Sequence, residues 1–377
     1  MSESTGLLRI DLNAIAENWR RLKNYVGADP AAVVKADAYG LGMLPVASAL
    51  YQTGCRDFFV ATLEEALLLR SHLSAQARCL VLGGAPAGAE QTCVEQHLLP
   101  VINSIAALRR WQSSVGAAPC ALKFDTGMTR LGLPLEALQD REYRDLLAAA
   151  NVMVAMSHLA CAEARESEHN TRQQAAFTQV RQMFAPLWPR ARWSLANSSG
   201  IFLGKDYHAD LVRPGASLYG FNPCPGRASP VRPVVTLQLP VLQLRALEAP
   251  AAVGYGAAGK MPSGALLAVA AGGYADGLQR VLGTEGKGFC EGVEVPVVGR
   301  VAMDTTVFDV SAVPAIKERW MQSSDSSLTI DILTSTHNVS EVSARNASLG
   351  YEVLTSLGSH RYRRDYLPLE DAVSDSR

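Results

Sequence analysis

The feature that most constrains the fold of this chain is a series of short apolar runs that alternate with helical patterns. Each run has the length of a buried strand, and several are followed by a signal for the start of a helix. Thr62-Leu-Glu-Glu65, for example, has the capping-box pattern directly before the apolar segment that starts at Ala66. The runs lie at 31–35, 58–61, 79–83, 98–102, 120–124, 152–156, 192–196 and 210–213.

Eight such units in succession predict a (β/α)8 barrel. A doubly wound open sheet is the alternative, but that fold normally carries a glycine-rich nucleotide fingerprint, which this sequence lacks. From residue 233 onward, β-like runs are separated by Gly and Pro, and helical periodicity is sparse. We therefore predict an α/β chain with an N-terminal (β/α)8 TIM-type barrel domain over residues 1–232 and a C-terminal mostly-β domain over residues 233–377.

The composition favours a small-molecule partner. The chain has 35 basic and 36 acidic residues and no basic run, so neither nucleic acid nor an anionic membrane is an expected partner. No apolar stretch is long enough to span a membrane, and residues 1–8 do not resemble a secretory signal. The 7 cysteines include no C-x-x-C pair, so we expect no disulfide framework and no metal site. These features favour a cytoplasmic protein.

A lysine ends the first apolar run, within Ala-Val-Val-Lys-Ala-Asp-Ala-Tyr-Gly-Leu-Gly at 32–42. Burying the ammonium group of Lys35 is costly unless the group is paired or loses its charge. A neutral amine is the nucleophile that condenses with a carbonyl as a Schiff base, so Lys35 is a candidate for covalent catalysis. The alternative is a lysine that extends from the strand end into solvent.

Further polar residues lie at or just past the carboxyl ends of the predicted strands. In a (β/α)8 barrel that end is where active sites are built. Polar surface residues without a function would not be concentrated at one end of the strands. The residues are Lys35, Asp125, Arg130, His158, Asn197, Ser198 and Arg213.

The lysine segment and nine further blocks resemble the alanine racemase family, an isomerase family that depends on pyridoxal phosphate (PLP). The blocks follow one another in the family's order over nearly the whole chain, so the resemblance is specific. They are Asp125–Gly132, Ser157–Ala160, Ala196–Ser199, Val212–Gly215, Leu218–Gly220, Val253–Ala257, Gly273–Gly277, Gly299–Asp304 and Gly350–Gly358.

The resemblance implies that the chain interconverts L-alanine and D-alanine, a cell-wall precursor. Lys35 would hold PLP as an aldimine that the amino acid displaces, and would then act as a base on one face of the α-carbon. Tyr255 would be the acid/base on the opposite face. Both side chains have reference pKa values near 10, so their surroundings must lower them. In the family this tyrosine comes from the partner subunit, which implies a homodimer with shared active sites.

The resemblance also assigns supporting roles. Arg213 would face the pyridine nitrogen, and His158 would orient both Arg213 and the catalytic tyrosine. Arg130 would bind the phenolic oxygen of the cofactor and the substrate carboxylate. Lys123 matches a position that is carbamylated in some members and braces that arginine. The remaining matches are the phosphate-binding residues Tyr39, Ser198, Gly215 and Ala216, and the residues of the substrate entrance, Met303 and Tyr274.

Three positions depart from the commoner residues of the family. Ser359 stands where many members carry a second entrance tyrosine, which bears on phosphate binding and on selectivity for alanine, and Thr129 and Gly272 also differ. A broader amino-acid racemase, a PLP-binding protein that does not racemise, and a barrel enzyme without a cofactor are the alternatives. The second of these is disfavoured because such single-barrel proteins lack a β domain that would supply Tyr255.

Overall fold

The computed structural model describes residues 5–278, 286–314, 316–322, 328–345, 350–358 and 361–369. The chain forms two compact units. We call the unit of Ile15–Ala38 and Gly42–Arg232 the barrel unit. The unit of Met1–Ala14, Tyr39–Leu41 and Pro233–Arg377 is called the β unit.

The secondary structure changes character along the chain, from alternating strands and helices to mostly strands. In chain order, the strands are β1 (Leu7–Asp11), β2 (Ala32–Val33), β3 (Asp57–Val60), β4 (Arg78–Val81), β5 (Leu98–Ile102), β6 (Cys120–Asp125), β7 (Leu133–Pro134), β8 (Val152–Met156), β9 (Arg192–Ser194), β10 (Val235–Ala246), β11 (Ala251–Val253), β12 (Gly259–Met261), β13 (Leu266–Ala271), β14 (Lys287–Cys290), β15 (Val293–Pro296), β16 (Thr305–Asp309), β17 (Thr329–Leu333) and β18 (Arg363–Leu367). The helices are α1 (Leu12–Val26), α2 (Lys35–Tyr39), α3 (Met43–Thr53), α4 (Leu63–His72), α5 (Glu90–Glu95), α6 (Ile105–Val115), α7 (Arg141–Ala148), α8 (Glu168–Phe184), α9 (Ile316–Gln322), α10 (Val339–Arg345) and α11 (Gly350–Leu357).

The barrel unit contains a parallel sheet in the order β2-β3-β4-β5-β6-β8-β9. The segment 210–214 closes it. Its amides at Asp210 and Leu211 donate to Trp193 O over 2.9 and 3.1 Å, and on its other side Val212 O accepts from Ala31 N over 3.0 Å. Val33 N donates in the same way to Pro214 O. The backbone hydrogen bonds therefore run around a ring of eight segments, and the predicted (β/α)8 barrel is confirmed.

The eighth segment differs from the regular strand that the run 210–213 predicts. Asp210 and Leu211 both donate to the same carbonyl, which is not the pattern of a ladder. Pro214 has no amide hydrogen to continue the pairing. This irregular segment ends in the glycine-containing turn that follows Arg213, at the same end of the barrel as the candidate site.

The helices pack on the barrel as their patterns predict. Thr62 and Glu65 form the predicted capping box at the start of α4, and Ser104 Oγ accepts from Ala107 N over 3.1 Å at the start of α6. An aromatic cluster joins α8 to the strands, with ring centroids 4.9 Å apart for Phe184–Trp188 and 5.9 Å apart for Phe124–Phe184. Strands buried on both faces explain why the runs read as nearly continuous apolar segments.

The β unit has a mostly antiparallel sheet in the order β15-β14-β17-β10-β1-β18, with β13 paired to β10 and β16 to β13. The 12-residue strand β10 contacts β1, β17 and β13, and its register shifts between Val241 and Gln243 let it serve more than one partner. The predicted mostly-β character of the C-terminal part is confirmed. Among the described residues, no helix has the length and apolarity that crossing a membrane requires.

An ion cluster at the amino ends of the barrel strands joins β3, β4 and β9. The Asp57 side chain, only 6% exposed, accepts hydrogen bonds from Arg78 at 2.6 and 2.8 Å and from Arg192 at 2.6 and 2.8 Å. Burial alone would raise the pKa of Asp57, but the hydrogen bonds from the two arginines outweigh it and lower the pKa. The charged carboxylate therefore stabilises the folded state.

We predict that Asp57→Asn lowers the free energy of unfolding by about 2 to 3 kcal/mol at pH 7, because it leaves two arginines without their common anion. The folded pKa is depressed, so this stabilisation is present above the unfolded carboxyl pKa of about 3.9 and is lost as pH falls through the folded value. The wild type should thus lose more stability than the variant as the pH is lowered below about 5.

Urea denaturation followed by tryptophan fluorescence measures both effects. Asp145→Asn is the control, since Asp145 pairs with Arg141 only at 3.9 Å and both side chains are exposed. It should change stability by less than about 0.5 kcal/mol. An Asp57 variant as stable as the control would show that the cluster contributes nothing.

Candidate active site

The carboxyl end of the barrel carries a group of cationic and polar side chains, all in the barrel unit. Lys35 follows β2 by two residues, Lys123 lies within β6, and Arg130 lies in the loop after β6. His158 follows β8 by two residues, and Arg213 lies in the segment that closes the ring. The chain therefore presents these side chains from the ends of β2, β6 and β8 and from the segment that closes the ring.

The backbone after Lys35 forms a single left-handed turn. Ala36, Asp37, Ala38 and Tyr39 have φ values of 52°, 54°, 54° and 57°. Left-handed backbone costs a non-glycine residue about 1 to 2 kcal/mol, so four in succession are a strained segment. The sequence suggests a loop relaxed by glycine, and it gives no signal for this turn. Asp37 helps to hold it, because Asp37 Oδ1 accepts from Met43 N over 2.7 Å and Asp37 O from Gly42 N over 2.8 Å.

Arg213 is buried, with 4% of its surface exposed. Its guanidinium donates to Ser194 Oγ and Ser157 O, both at 2.5 Å, and to Leu195 O at 3.4 Å. These acceptors are neutral, and burial lowers the pKa of Arg213 to about 9. A buried cation without a carboxylate is costly, so this arrangement suits a ligand that brings an acceptor or negative charge to the site.

His158 is held in its neutral form. Burial and then the positive charge of Arg213 lower its pKa well below the usual value, and Lys123, Arg130 and Lys35 act in the same direction. Arg213 Nη2 donates to His158 Nδ1 over 3.4 Å. Because Nδ1 accepts, we infer that the ring proton is on Nε2, which is then available as a donor.

The two lysines are also disfavoured as ammonium ions. Burial, Arg130 and Arg213 lower the pKa of Lys123 to about 8, although Asp125 opposes the shift. Burial and Arg130 lower the pKa of Lys35, with Glu65 acting in the opposite direction. The site therefore has excess positive charge and amines that lose protons more readily than in water, which favours anionic ligands and nucleophilic chemistry.

The loop that carries Arg130 is built around one carboxylate. Asp125 Oδ1 accepts hydrogen bonds from the amides of Gly127, Met128 and Thr129 over 2.9, 2.9 and 3.1 Å. Burial would raise the pKa of Asp125, but these backbone hydrogen bonds lower it. Asp125 thus shapes the loop, and its position at the end of β6 reflects this role.

A cup of backbone and hydroxyl groups lies after β9 and the closing segment. Ser198 Oγ accepts from Gly215 N over 3.0 Å and from Ser217 N over 3.2 Å, and Ser217 Oγ lies 3.1 Å from it. Amides that converge on one oxygen in this way also suit an oxygen of a phosphate. Gly215 and Ala216, which the sequence analysis assigns to phosphate, lie in this same turn.

A buried glutamine that sequence reasoning missed connects two sides of the site. Gln173 of α8 donates to Thr126 Oγ1 over 3.3 Å and to His158 O over 2.9 Å, and accepts from Ala160 N over 2.8 Å. Thr126 Oγ1 also lies 2.7 Å from Ser157 Oγ. Only its complete burial reveals the role of Gln173, because a glutamine within a polar helix sequence gives no signal of its own.

The other candidate residues belong to the β unit. Tyr255 is 70% exposed, and its glycine neighbours Gly254 and Gly256 have positive φ values of 75° and 68°, which glycine adopts without strain. Tyr274 and Met303 are exposed too. The ring of Tyr39 lies edge-on to that of Tyr351 with centroids 6.5 Å apart, and burial raises the pKa of Tyr39 to about 12.

The sequence analysis also singles out Ser359 and predicts no metal site. Ser359 lies outside the described residues. Within the part of the chain that the structure describes, no group of three His, Cys, Asp or Glu side chains could hold a metal ion. The described site is thus one of amines, guanidinium groups and backbone amides.

Comparison with known proteins identifies relatives of both halves. The sequence matches the family model "Alanine racemase, N-terminal domain" over residues 10–223 and "Alanine racemase, C-terminal domain" over residues 234–366. The alanine racemase of Rhodospirillum rubrum is 45% identical over 370 residues, 96% of each chain. A catabolic alanine racemase of Rhizobium johnstonii is 42% identical over 378 residues, 96% of this chain and 95% of the relative.

A solved structure has the same fold over nearly its full length. The alanine racemase of Bartonella henselae with covalently bound pyridoxal phosphate has a TM-score of 0.87 at 35% identity, and covers 96% of this chain and 99% of that chain.

The loop geometry predicts a stabilising substitution at Thr129. This β-branched residue has a φ of 54°, which asparagine tolerates far better. Thr129→Asn should raise the free energy of unfolding by about 1 kcal/mol and the melting temperature by about 2 to 4 °C. Differential scanning calorimetry measures the shift. Thr171→Asn, at an exposed position of α8, is the control and should not stabilise the protein; no rise for Thr129→Asn would contradict the strain argument.

Proposed function

The chain belongs to the alanine racemase family, whose members are pyridoxal-phosphate-dependent isomerases, and we propose that it interconverts L-alanine and D-alanine. The observation that carries this proposal is the excess positive charge at the strand ends, with Lys35 beside the left-handed turn and Arg213 buried among neutral acceptors. Such a site suits a ligand with a phosphate, a ring nitrogen that accepts a hydrogen bond, and a carbonyl.

The residues fit pyridoxal phosphate group by group. Lys35 would hold the cofactor covalently, and Ser198 with the turn that contains Gly215 and Ala216 would bind its phosphate. For Tyr39, the phosphate role rests on the resemblance to the family alone. When bound, pyridoxal phosphate supplies an aldehyde for the amine and a conjugated ring that makes the substrate α-proton more acidic.

Arg213 would set the character of the reaction. A guanidinium group can only donate, so it would hold the ring nitrogen unprotonated and limit how strongly the ring withdraws electrons. That favours returning the proton to the same carbon over decarboxylation or transamination. Neutral His158 accepts from Arg213 at Nδ1 and so orients it, and the hydrogen bond that Ser157 O accepts fixes the guanidinium from another side.

Two bases would move the α-proton on opposite faces of the substrate. The lowered pKa of Lys35 leaves a larger share of neutral amine near neutrality, as a base requires. We assign the opposite face to Tyr255, contributed by a second copy of the chain in a homodimer. Arg130 would bind the substrate carboxylate as a fixed cationic fork, and Tyr274 and Met303 would line the entrance.

Isotope exchange tests the proposed reaction. In D2O the wild type should convert L-alanine into D-alanine that carries deuterium at the α-carbon, because the abstracted proton mixes with solvent. Lys35→Ala should abolish this product, whereas Lys205→Ala, at an exposed lysine, should not. Chiral chromatography with mass spectrometry measures both.

The same assay with other amino acids would identify the alternatives. Equal rates with serine, lysine or arginine would support a broader racemase. A PLP-loaded protein that exchanges no amino acid would contradict the proposed activity.

We also propose that Lys123 is carbamylated. Its amine, with a pKa lowered to about 8, is partly neutral near that pH, and only the neutral form attacks carbon dioxide. The nitrogen forms a bond to the carbon of CO2, the amine releases one proton, and the product is an anionic carbamate. This anion would offset part of the positive charge of Arg130 and Arg213, which both repel the ammonium form.

A 13C NMR spectrum in 13C-bicarbonate should therefore contain a carbamate signal for the wild type that is missing in Lys123→Ala. The reference is Lys205→Ala, which should retain the signal. A wild-type spectrum without it would contradict the modification.

A further inference from the structure

The Glu65 carboxylate bridges the ends of two neighbouring barrel strands. Glu65 Oε1 accepts from Ala36 N over 2.6 Å, and Ala36 directly follows Lys35, just past the carboxyl end of β2. Glu65 Oε2 accepts from Ala61 N over 2.7 Å, directly after β3. One side chain at the start of α4 thus fixes the backbone next to Lys35 to the adjacent strand.

The helix cap alone does not explain this geometry. In the capping box, Glu65 Oε2 accepts from Thr62 N only at 3.4 Å, and Glu65 N donates to Thr62 Oγ1 over 3.3 Å. The short contacts are those to Ala36 and Ala61, which both lie outside α4. Charge-assisted hydrogen bonds to backbone amides are stronger than neutral ones, so the carboxylate is directed mainly at the strand ends.

The segment that Glu65 holds is the strained one. Ala36 is the first of four residues with positive φ, and its backbone favours other conformations when nothing fixes it. Glu65 is also the carboxylate whose charge opposes the lowering of the Lys35 pKa by burial and Arg130. The Glu65 side chain therefore acts on Lys35 in two ways. It fixes the backbone next to the lysine, and its charge opposes the lowering of the lysine pKa.

We propose that Glu65 is the positioning residue of Lys35, which it orients by binding the amides of Ala36 and Ala61 with its two carboxylate oxygens. The inference rests on the proposed function, in which Lys35 holds the cofactor and moves a proton. Without the bridge, the left-handed turn would relax and the amine would leave its reactive position. A reacting group that is displaced by only about 1 Å can cost a large factor in rate.

Two substitutions remove the bridge in different ways. Glu65→Gln keeps the size of the side chain, but its amide NH2 faces one of the two backbone donors and cannot accept from it. Glu65→Asp keeps the charge but is one methylene shorter, so it cannot reach both amides. Glu64→Gln changes an exposed carboxylate on the same turn of α4. Thr62→Ala removes the other half of the capping box without touching the bridge.

The holoenzymes should separate into two groups. We expect Glu65→Gln and Glu65→Asp each to lower kcat about tenfold or more with little change in KM, since substrate-binding groups stay in place. Rapid borohydride reduction and peptide mass spectrometry should find a smaller share of Lys35 that carries pyridoxal phosphate. Glu64→Gln and Thr62→Ala should match the wild type in both measurements, even where Thr62→Ala lowers the melting temperature.

The other outcomes contradict either the positioning role of Glu65 or the proposed function. Wild-type kcat and Lys35 loading in both Glu65 variants would mean that the bridge is dispensable. Equal losses in Thr62→Ala and the Glu65 variants would mean that helix stability alone explains them. A wild type that does not racemise alanine would instead contradict the proposed function, so the two failures remain distinguishable.

Discussion

The burial of positive charge at the carboxyl ends of the barrel strands is the constraint on which the site depends. Arg213 is enclosed by a serine hydroxyl and backbone carbonyls, and Lys123 and Lys35 lie close enough to the arginines for their pKa values to be lowered. A buried charge without a partner is costly, and the apolar side chains of the barrel core cannot neutralise it. A ligand with a phosphate and a ring acceptor supplies what the protein leaves out.

The carboxylates near the site are engaged with backbone amides. Asp125 accepts from three successive amides of its own loop, and Glu65 accepts from Ala36 and Ala61. These contacts give the loops their shape and hold strained backbone in position, at Thr129 in one loop and at Ala36 in the other. These two carboxylates thus help to position the cationic side chains, and the positive charge of the site remains for the ligand.

The sequence was sufficient to predict the barrel and the placement of most polar residues at the strand ends. Buried parallel strands give continuous apolar runs, and the polar residues mark where these runs end. The sequence was not sufficient where tertiary contacts override local preference. Ala36–Tyr39 contains no glycine, so nothing in it predicts a left-handed turn. The segment 210–214 contains a proline, yet it forms backbone hydrogen bonds with the strands on both sides of it. Gln173 contributes only through contacts that form in the folded protein. The residues of the β unit were identified by resemblance alone.

Directional exchange in the Tyr255→Phe variant tests the two-base account most directly. Wild type and variant would each be incubated with L-alanine and, separately, with D-alanine in D2O, and deuterium incorporation and chirality would be measured together. The account predicts that the variant still exchanges the α-proton of one enantiomer with retention, through Lys35, while inversion is strongly reduced. Inversion at the wild-type rate from both enantiomers would contradict the assignment of Tyr255 and with it the two-sided mechanism.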